Sequence, residues 1–301
     1  MLPSLRPWIW RNLRVGVPAD WEMLRYARDR KKGACTFADR YQYRLELSWR
    51  EVPGPPDFVR MMRDYEARLR HEADGTDGNW KRVRHGPWHG LTGGGGNAGL
   101  LRHARYGRFV APESCLVELV FFQPRKEEKG LTAAILDGVR AEPAVGGDRR
   151  WRAFGMEFLV PEEMDLRSCR AEPAAVRMRF GVGERDERND AFERLGLLHY
   201  WMKGSVSDWL ERRAGAAVKR ASAGEIENRG HRVAFVTGRR RRRGGSLFGG
   251  RWLAVEQTAW ICPADGRLYC GVHEFPAKEE KAAPPGRNMR LRCCASLEAA
   301  V

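Results

Sequence analysis

The sequence predicts an α+β protein built from two tandem copies of one domain, each an antiparallel sheet layered between helices as an α/β/α sandwich. Three observations lead there. The same landmarks occur twice in the same order, short segments alternate apolar and polar residues at the strand period, and each half carries one amphipathic helical stripe. The copies are expected over residues 1–143 and 150–301. A linker over 144–149 lies within AEPAVGGDRR (141–150), where a proline and paired glycines interrupt all periodicity.

The clearest repeat is PRKEEK (124–129) against PAKEEK (276–281), 152 positions apart. Aligned backwards without a gap, RFVAPESCLVELVFFQPRKEEK (108–129) lies over WICPADGRLYCGVHEFPAKEEK (260–281). Both read as a β-hairpin with a charged exit, Asp265-Gly266 supplying the turn signal. Upstream, HGPWHGLTGGGG (85–96) matches GHRVAFVTGRRRRR (230–243), each a strand ending in Thr-Gly. Each copy opens on a tryptophan-led strand running into a proline, Trp10 to Pro18 and Trp151 to Pro161. Apolar residues follow at Trp21 and Met23, then at Met164 and Leu166. A second alternating strand comes next, at 43–49 (YRLELSW) and 175–180 (AVRMRF).

An amphipathic helix is expected over 56–73, with Phe58, Met61, Met62, Tyr65 and Leu69 on one stripe. Its partner is expected over 205–221, with Ser207 at the N-cap and Glu211 near the capping-box position. Closing helices are expected in GLTAAILDGVRAE (130–142) and GRNMRLRCCASLEA (286–299). ERLGLLHYWMKG (193–204) has no evident counterpart; it suits an apolar strand, a cover over a shared interface, or a partner-binding surface.

The order of strand, proline, strands, helix, late antiparallel strands and closing helix resembles the PsbP/Mog1 group of α/β/α sandwich domains. The positions that carry it are Val15, Val17, Pro18 and Trp21 in one copy and Phe158, Val160, Pro161 and Met164 in the other. The resemblance implies binding and assembly roles, with no shared catalytic machinery.

Composition narrows the classes. Hydrophobic residues at 43% and charged residues at 31% describe a globular chain, not a disordered one. No window holds 18 apolar residues, and the start lacks a signal-peptide core, so a cytoplasmic protein is expected. Seven scattered cysteines do not form a disulfide framework. The net charge of +15 comes largely from 45 arginines against nine lysines, and its field favours acidic surfaces or polyanions.

The strongest candidate site is the run Arg239, Arg240, Arg241, Arg242 and Arg243, read as a glycine-flanked loop. Its guanidiniums could grip phosphates, and Trp252 is close enough in sequence to stack. The alternative is a solvated loop. Gly94, Gly96 and Gly99 spell G-x-G-x-x-G without the following helix that a dinucleotide needs. Cys262, Cys270 and His273 invite a zinc reading, but a hairpin turning at Asp265-Gly266 pairs Cys262 with Tyr269 and sends the two cysteines to opposite faces. His85 and His89 would share a face if one strand held both. GGSLFGG (244–250) lacks the last glycine of a nucleophile elbow.

No catalytic residue, cofactor or metal ligand is therefore assigned. The expected function is non-enzymatic recognition of an acidic protein partner; a nucleic-acid or polyanion binder using Arg239 to Arg243 is the alternative. An enzyme would need a deep pocket holding His85, His89 or His273 beside a carboxylate.

Overall fold

A tryptophan-bearing hairpin opens each half of the chain. In the computed structural model, which describes residues 4–72, 80–93, 102–123, 130–183, 188–216, 218–241, 252–279 and 289–293, the halves are two compact units, Met1–Pro143 and Ala144–Val301.

Unit 1 begins with β1 (Leu5–Trp10) and β2 (Leu13–Pro18), and β10 (Arg140–Ala141) pairs with β2. A separate seven-stranded sheet comprises β3 (Glu22–Tyr26), β4 (Lys32–Ala38), β5 (Tyr43–Glu51), β6 (Lys81–His85), β7 (Trp88–Gly93), β8 (Arg102–Val110) and β9 (Cys115–Gln123). Its spatial order is β3-β4-β5-β9-β8-β7-β6. Helix α1 (Phe58–Glu72) starts at Asp57, whose carboxylate accepts from Arg60 N at 3.0 Å. It sets Met62 and Tyr65 against Leu91 of β7. Helix α2 (Leu131–Gly138) rests against β2.

Unit 2 repeats this order strand for strand. β11 (Asp148–Ala153), β12 (Met156–Pro161) and β20 (Leu291–Arg292) pair as β1, β2 and β10 do. β13 (Asp165–Glu172), β14 (Ala175–Gly181), β15 (Asn189–Leu195), β16 (Lys219–Asn228), β17 (His231–Arg241), β18 (Trp252–Cys262) and β19 (Arg267–Pro276) form a second seven-stranded sheet. Its order, β13-β14-β15-β19-β18-β17-β16, is that of unit 1 with every number raised by ten. Short helix α3 (Leu198–Trp201) precedes α4 (Val206–Ala214), which packs on β17 and β18.

The α/β/α sandwich is overturned. Among the described residues every strand pair within the two units is antiparallel, and the second face of each seven-stranded sheet meets the tryptophan-bearing hairpin, joined in unit 1 by α2, whose Leu136 carbonyl accepts from Trp88 of β7. Trp8 meets Phe37 of β4 edge-on at 5.5 Å, and Trp151 meets Phe180 of β14 edge-on at 5.0 Å. Phe158 of β12 stacks on Phe192 of β15 at 4.2 Å. The architecture is nearer all-β, because β-branched and aromatic residues at period 2 dominate where helices were expected to cover.

Several alignments shift with it. Trp8, not Trp10, corresponds to Trp151, since each lies ten residues before its proline. After the proline both units make the same turn, with Trp21 N donating to Pro18 O and Met164 N to Pro161 O, both at 3.0 Å. AVRMRF is β14, the counterpart of β4 and not of β5. The true counterpart of β5 is β15, which takes up the start of the supposed insert. Ser205, not Ser207, caps α4, in a capping box with Asp208. That helix ends at Ala214 because Gly215 takes positive φ, so residues from Lys219 onward are strand. The second closing helix is absent among the described residues: Leu291–Arg292 is β20, with Leu291 and Cys293 buried. PRKEEK lies outside the described residues, as do Glu280 and Lys281 of PAKEEK.

Candidate binding face

The arginine run is not simply a loop. β17 continues through Arg239, Arg240 and Arg241, which pair with Ala254, Leu253 and Trp252 of β18. Arg242 and Arg243 lie outside the described residues. Because neighbours on a strand alternate faces, the run divides. Arg240 turns to the face that carries α4 and engages Glu274, Nε donating to Oε1 at 2.7 Å and Nη2 to Oε2. Arg239 and Arg241 occupy the opposite face and are exposed. The Arg241 guanidinium sits 5.4 Å over the Trp252 ring, and Trp252 is 40% exposed.

Register fixes what else shares that face. Lys219, Arg239, Ala254 and Phe275 form one row across β16 to β19. The next row inward is Ser222, Thr237, Glu256, His273 and Asp190. Beyond it Phe192 packs under Phe158, where the β11–β12 hairpin covers the sheet. Cations and an exposed indole thus occupy the outer end, a polar row lies behind them, and an aromatic core closes the inner end.

The polar row borders a cavity of about 520 Å³, whose lining includes Arg188, Asp190, Glu256, His273, Glu279 and Arg290. His273 Nδ1 lies 2.8 Å from Asp190 Oδ1, and Arg290 donates to the other carboxylate oxygen at 3.4 Å. Arg188 donates to Glu163 at 3.2 Å and to Glu279. This is the histidine beside a carboxylate that acid–base chemistry uses. Among the described residues no serine, threonine or cysteine lines the cavity, and Asp190 is held from both sides by His273 and Arg290. The described side chains there form a paired ion network. Unit 1 has a smaller hollow of about 300 Å³ beside Arg11, Trp49 and Glu113.

The other sequence candidates separate in space. The β18–β19 connection is four residues long, so Cys262 pairs with Arg267 and not with Tyr269. Cys262 and Cys270 still face opposite ways. Cys270 lies in the core beneath α4, where burial pushes its thiol up to about 12. His85 and His89 do not share a strand: a turn at Gly86-Pro87 lies between them and sends their side chains to opposite faces. His85 Nε2 meets Asp137 at 2.7 Å, while His89 stacks on Phe58 at 4.5 Å. The G-x-G-x-x-G and GGSLFGG segments lie outside the described residues. In the supposed insert, Leu197 and Tyr200 stand exposed, the latter at 77%.

Fold and site together define a two-unit antiparallel β protein whose second unit ends in a cationic, aromatic face. No family model matches the chain, and no curated protein matches it. Among solved structures, it is similar to the apo form of the immunity protein TplEi of T6SS from Pseudomonas aeruginosa, at 10% identity and TM-score 0.39, covering 96% of this chain and 97% of that one. The same immunity protein complexed with "L" peptide gives 9% identity and TM-score 0.36, with 96% and 98% covered. At these scores the likeness carries no argument about fold or function.

Among the described residues, no helix is long and apolar enough to cross a membrane.

Proposed function

We propose that this is a non-enzymatic recognition protein that binds an acidic segment of a protein partner on the outer end of the unit 2 sheet. The observation that carries the reading is the pairing of Arg241 with the exposed Trp252 on one rung, beside the row of Lys219 and Arg239. Exposed indoles next to guanidiniums are the residue types that dominate binding energy at protein interfaces. Three cationic side chains on one face complement carboxylates, and the +15 net charge would speed their encounter. A flat strand surface with an open aromatic suits an extended segment better than a small molecule. The reading keeps the protein in the reducing cytoplasm.

Calorimetric titration with a Glu/Asp-rich peptide and its Gln/Asn counterpart tests the charge requirement. The acidic peptide should bind, the neutral one should not, and the variant Arg239→Ser/Arg241→Ser should lose the acidic peptide. Equal binding of both peptides would remove the electrostatic basis of the reading.

A further inference from the structure

Unit 2 contains a second constellation, at the far end of the same sheet face from the arginines and independent of their reading. His231 opens β17, Cys262 ends β18, and Cys293 directly follows β20. One ligand atom from each lies within 4.8 Å of the others. All three residues are buried, at 8%, 0% and 1% exposure. Ala234 pairs with Ala259, so three rungs further on His231 stands opposite Cys262 on the same face. Cys293 arrives from the other side, carried by the strand that pairs with β12.

The imidazole is already oriented. His231 Nδ1 lies 2.9 Å from Arg229 O, and a carbonyl can only accept, so the proton is assigned to Nδ1. Nε2 then presents its lone pair to the cluster, 3.3 Å from Cys293 Sγ. A backbone carbonyl holding the far nitrogen is the usual support of a metal-binding histidine.

Unit 1 supplies an internal comparison. Val110 pairs with Cys115 at the hairpin where Cys262 pairs with Arg267, so Val110 holds the Cys262 position. Counting three rungs from His89 and Gly107 brings Gly86 opposite Val110, in place of His231. Ala141 on β10, opposite Leu13, holds the position of Cys293, which follows the Arg292–Glu157 pair. Gly86, Val110 and Ala141 offer no side-chain ligand atom. A junction that one unit fills with small and apolar groups contains an imidazole and two thiols in the other.

We propose that His231, Cys262 and Cys293 form a binding site for a thiophilic divalent cation of the zinc class, which ties the last strand to the seven-stranded sheet of unit 2. Sulfur and imidazole donors select zinc over the oxygen-seeking calcium and magnesium. On binding, both thiols release their protons to solvent; two thiolates, one neutral imidazole and a dication then sum to zero charge, which a buried site tolerates. Tetrahedral zinc with metal–sulfur and metal–nitrogen bonds of about 2.3 and 2.0 Å separates its donors by roughly 3.5–3.8 Å, so donors within 4.8 Å of one another close onto it with shifts of about an ångström. Because binding releases both thiol protons, affinity should rise with pH.

Cobalt titration of the full chain under reducing conditions tests the site. One equivalent of Co2+ should produce thiolate-to-cobalt charge transfer and intense tetrahedral visible bands, and Zn2+ should abolish them. Cys262→Val and Cys293→Ala, which install the unit 1 residues, should each lose the bands, and Zn2+ should raise the Tm of the parent protein only. Absence of charge transfer in the parent protein would overturn the proposal, and that spectrum decides even if a variant fails to fold. Bands that persist in both variants would also overturn it. So would an intact mass two hydrogens light from a Cys262–Cys293 disulfide that forms in preference to metal binding.

Discussion

Trp252 and Arg241 show how much a single rung can carry. The indole is 40% exposed, so truncating it removes little core, yet its ring supports the Arg241 guanidinium at 5.4 Å. Trp252→Ala should weaken acidic-peptide binding about tenfold while leaving the Tm within a degree or so, because hot-spot aromatics act through the partner and not the core. A second residue-scale prediction concerns Asp208. Hydrogen bonds from the Ser205 side chain and backbone hold its carboxyl below the usual 3.8. A depressed folded-state pKa contributes stability above the unfolded value and loses it as pH falls through the folded one. Asp208→Asn should therefore lower the Tm at about pH 6, with the difference shrinking as pH falls through the folded-state pKa of the parent carboxyl; thermal melts across an acid pH series read this directly.

At the scale of elements, the hairpins were legible and the layers were not. The gapless match of 108–123 with 260–275 was readable because β8–β9 and β18–β19 have connections of equal length. The proline turns after β2 and β12 were readable for the same reason. The layers were hidden because a tryptophan-bearing strand looks alike whether it joins a sheet or covers one. Leu291 and Cys293 are buried on a strand two residues long, too short for any period to register. A run of identical arginines likewise conceals alternation, so the division of Arg239, Arg240 and Arg241 between two faces could not be read. His231, Cys262 and Cys293 are separated by 31 residues each, far from the short spacing of a zinc knuckle; only sheet register brings them together. Two substitutions test the layers. Phe192, fully buried against Phe158, should cost about 3–5 kcal/mol when changed to alanine, measured by denaturant unfolding. At Gly238 an added Cβ would lie 2.5 Å from the Lys219 carbonyl oxygen. Gly238→Ala should therefore force β16 away from β17 and lower the Tm.

Across the whole molecule, two units with one strand order have taken on different surfaces and interiors. Register places Gly86, Val110 and Ala141 of unit 1 where unit 2 has a histidine and two cysteines, and α3 has no counterpart among the described residues of unit 1. The shared strand order fits the tandem repeat expected from the sequence, and the proposed recognition face lies on the second unit. The net charge of +15 spreads over both units and attracts any anion, so charge alone does not distinguish a protein partner from nucleic acid. Salt response does. Binding through phosphates falls linearly on a log–log plot with a slope set by the number of phosphates contacted. The decisive measurement is fluorescence anisotropy of a labelled acidic peptide and a labelled single-stranded oligonucleotide of equal charge across a salt series. The parent protein is compared with the variant Arg239→Ser/Arg241→Ser/Trp252→Ala. The account predicts that the peptide binds the parent protein more tightly than the oligonucleotide and that the variant loses the peptide. Tighter, salt-steep oligonucleotide binding that collapses in the variant, or peptide binding that is the same in both proteins, would contradict it.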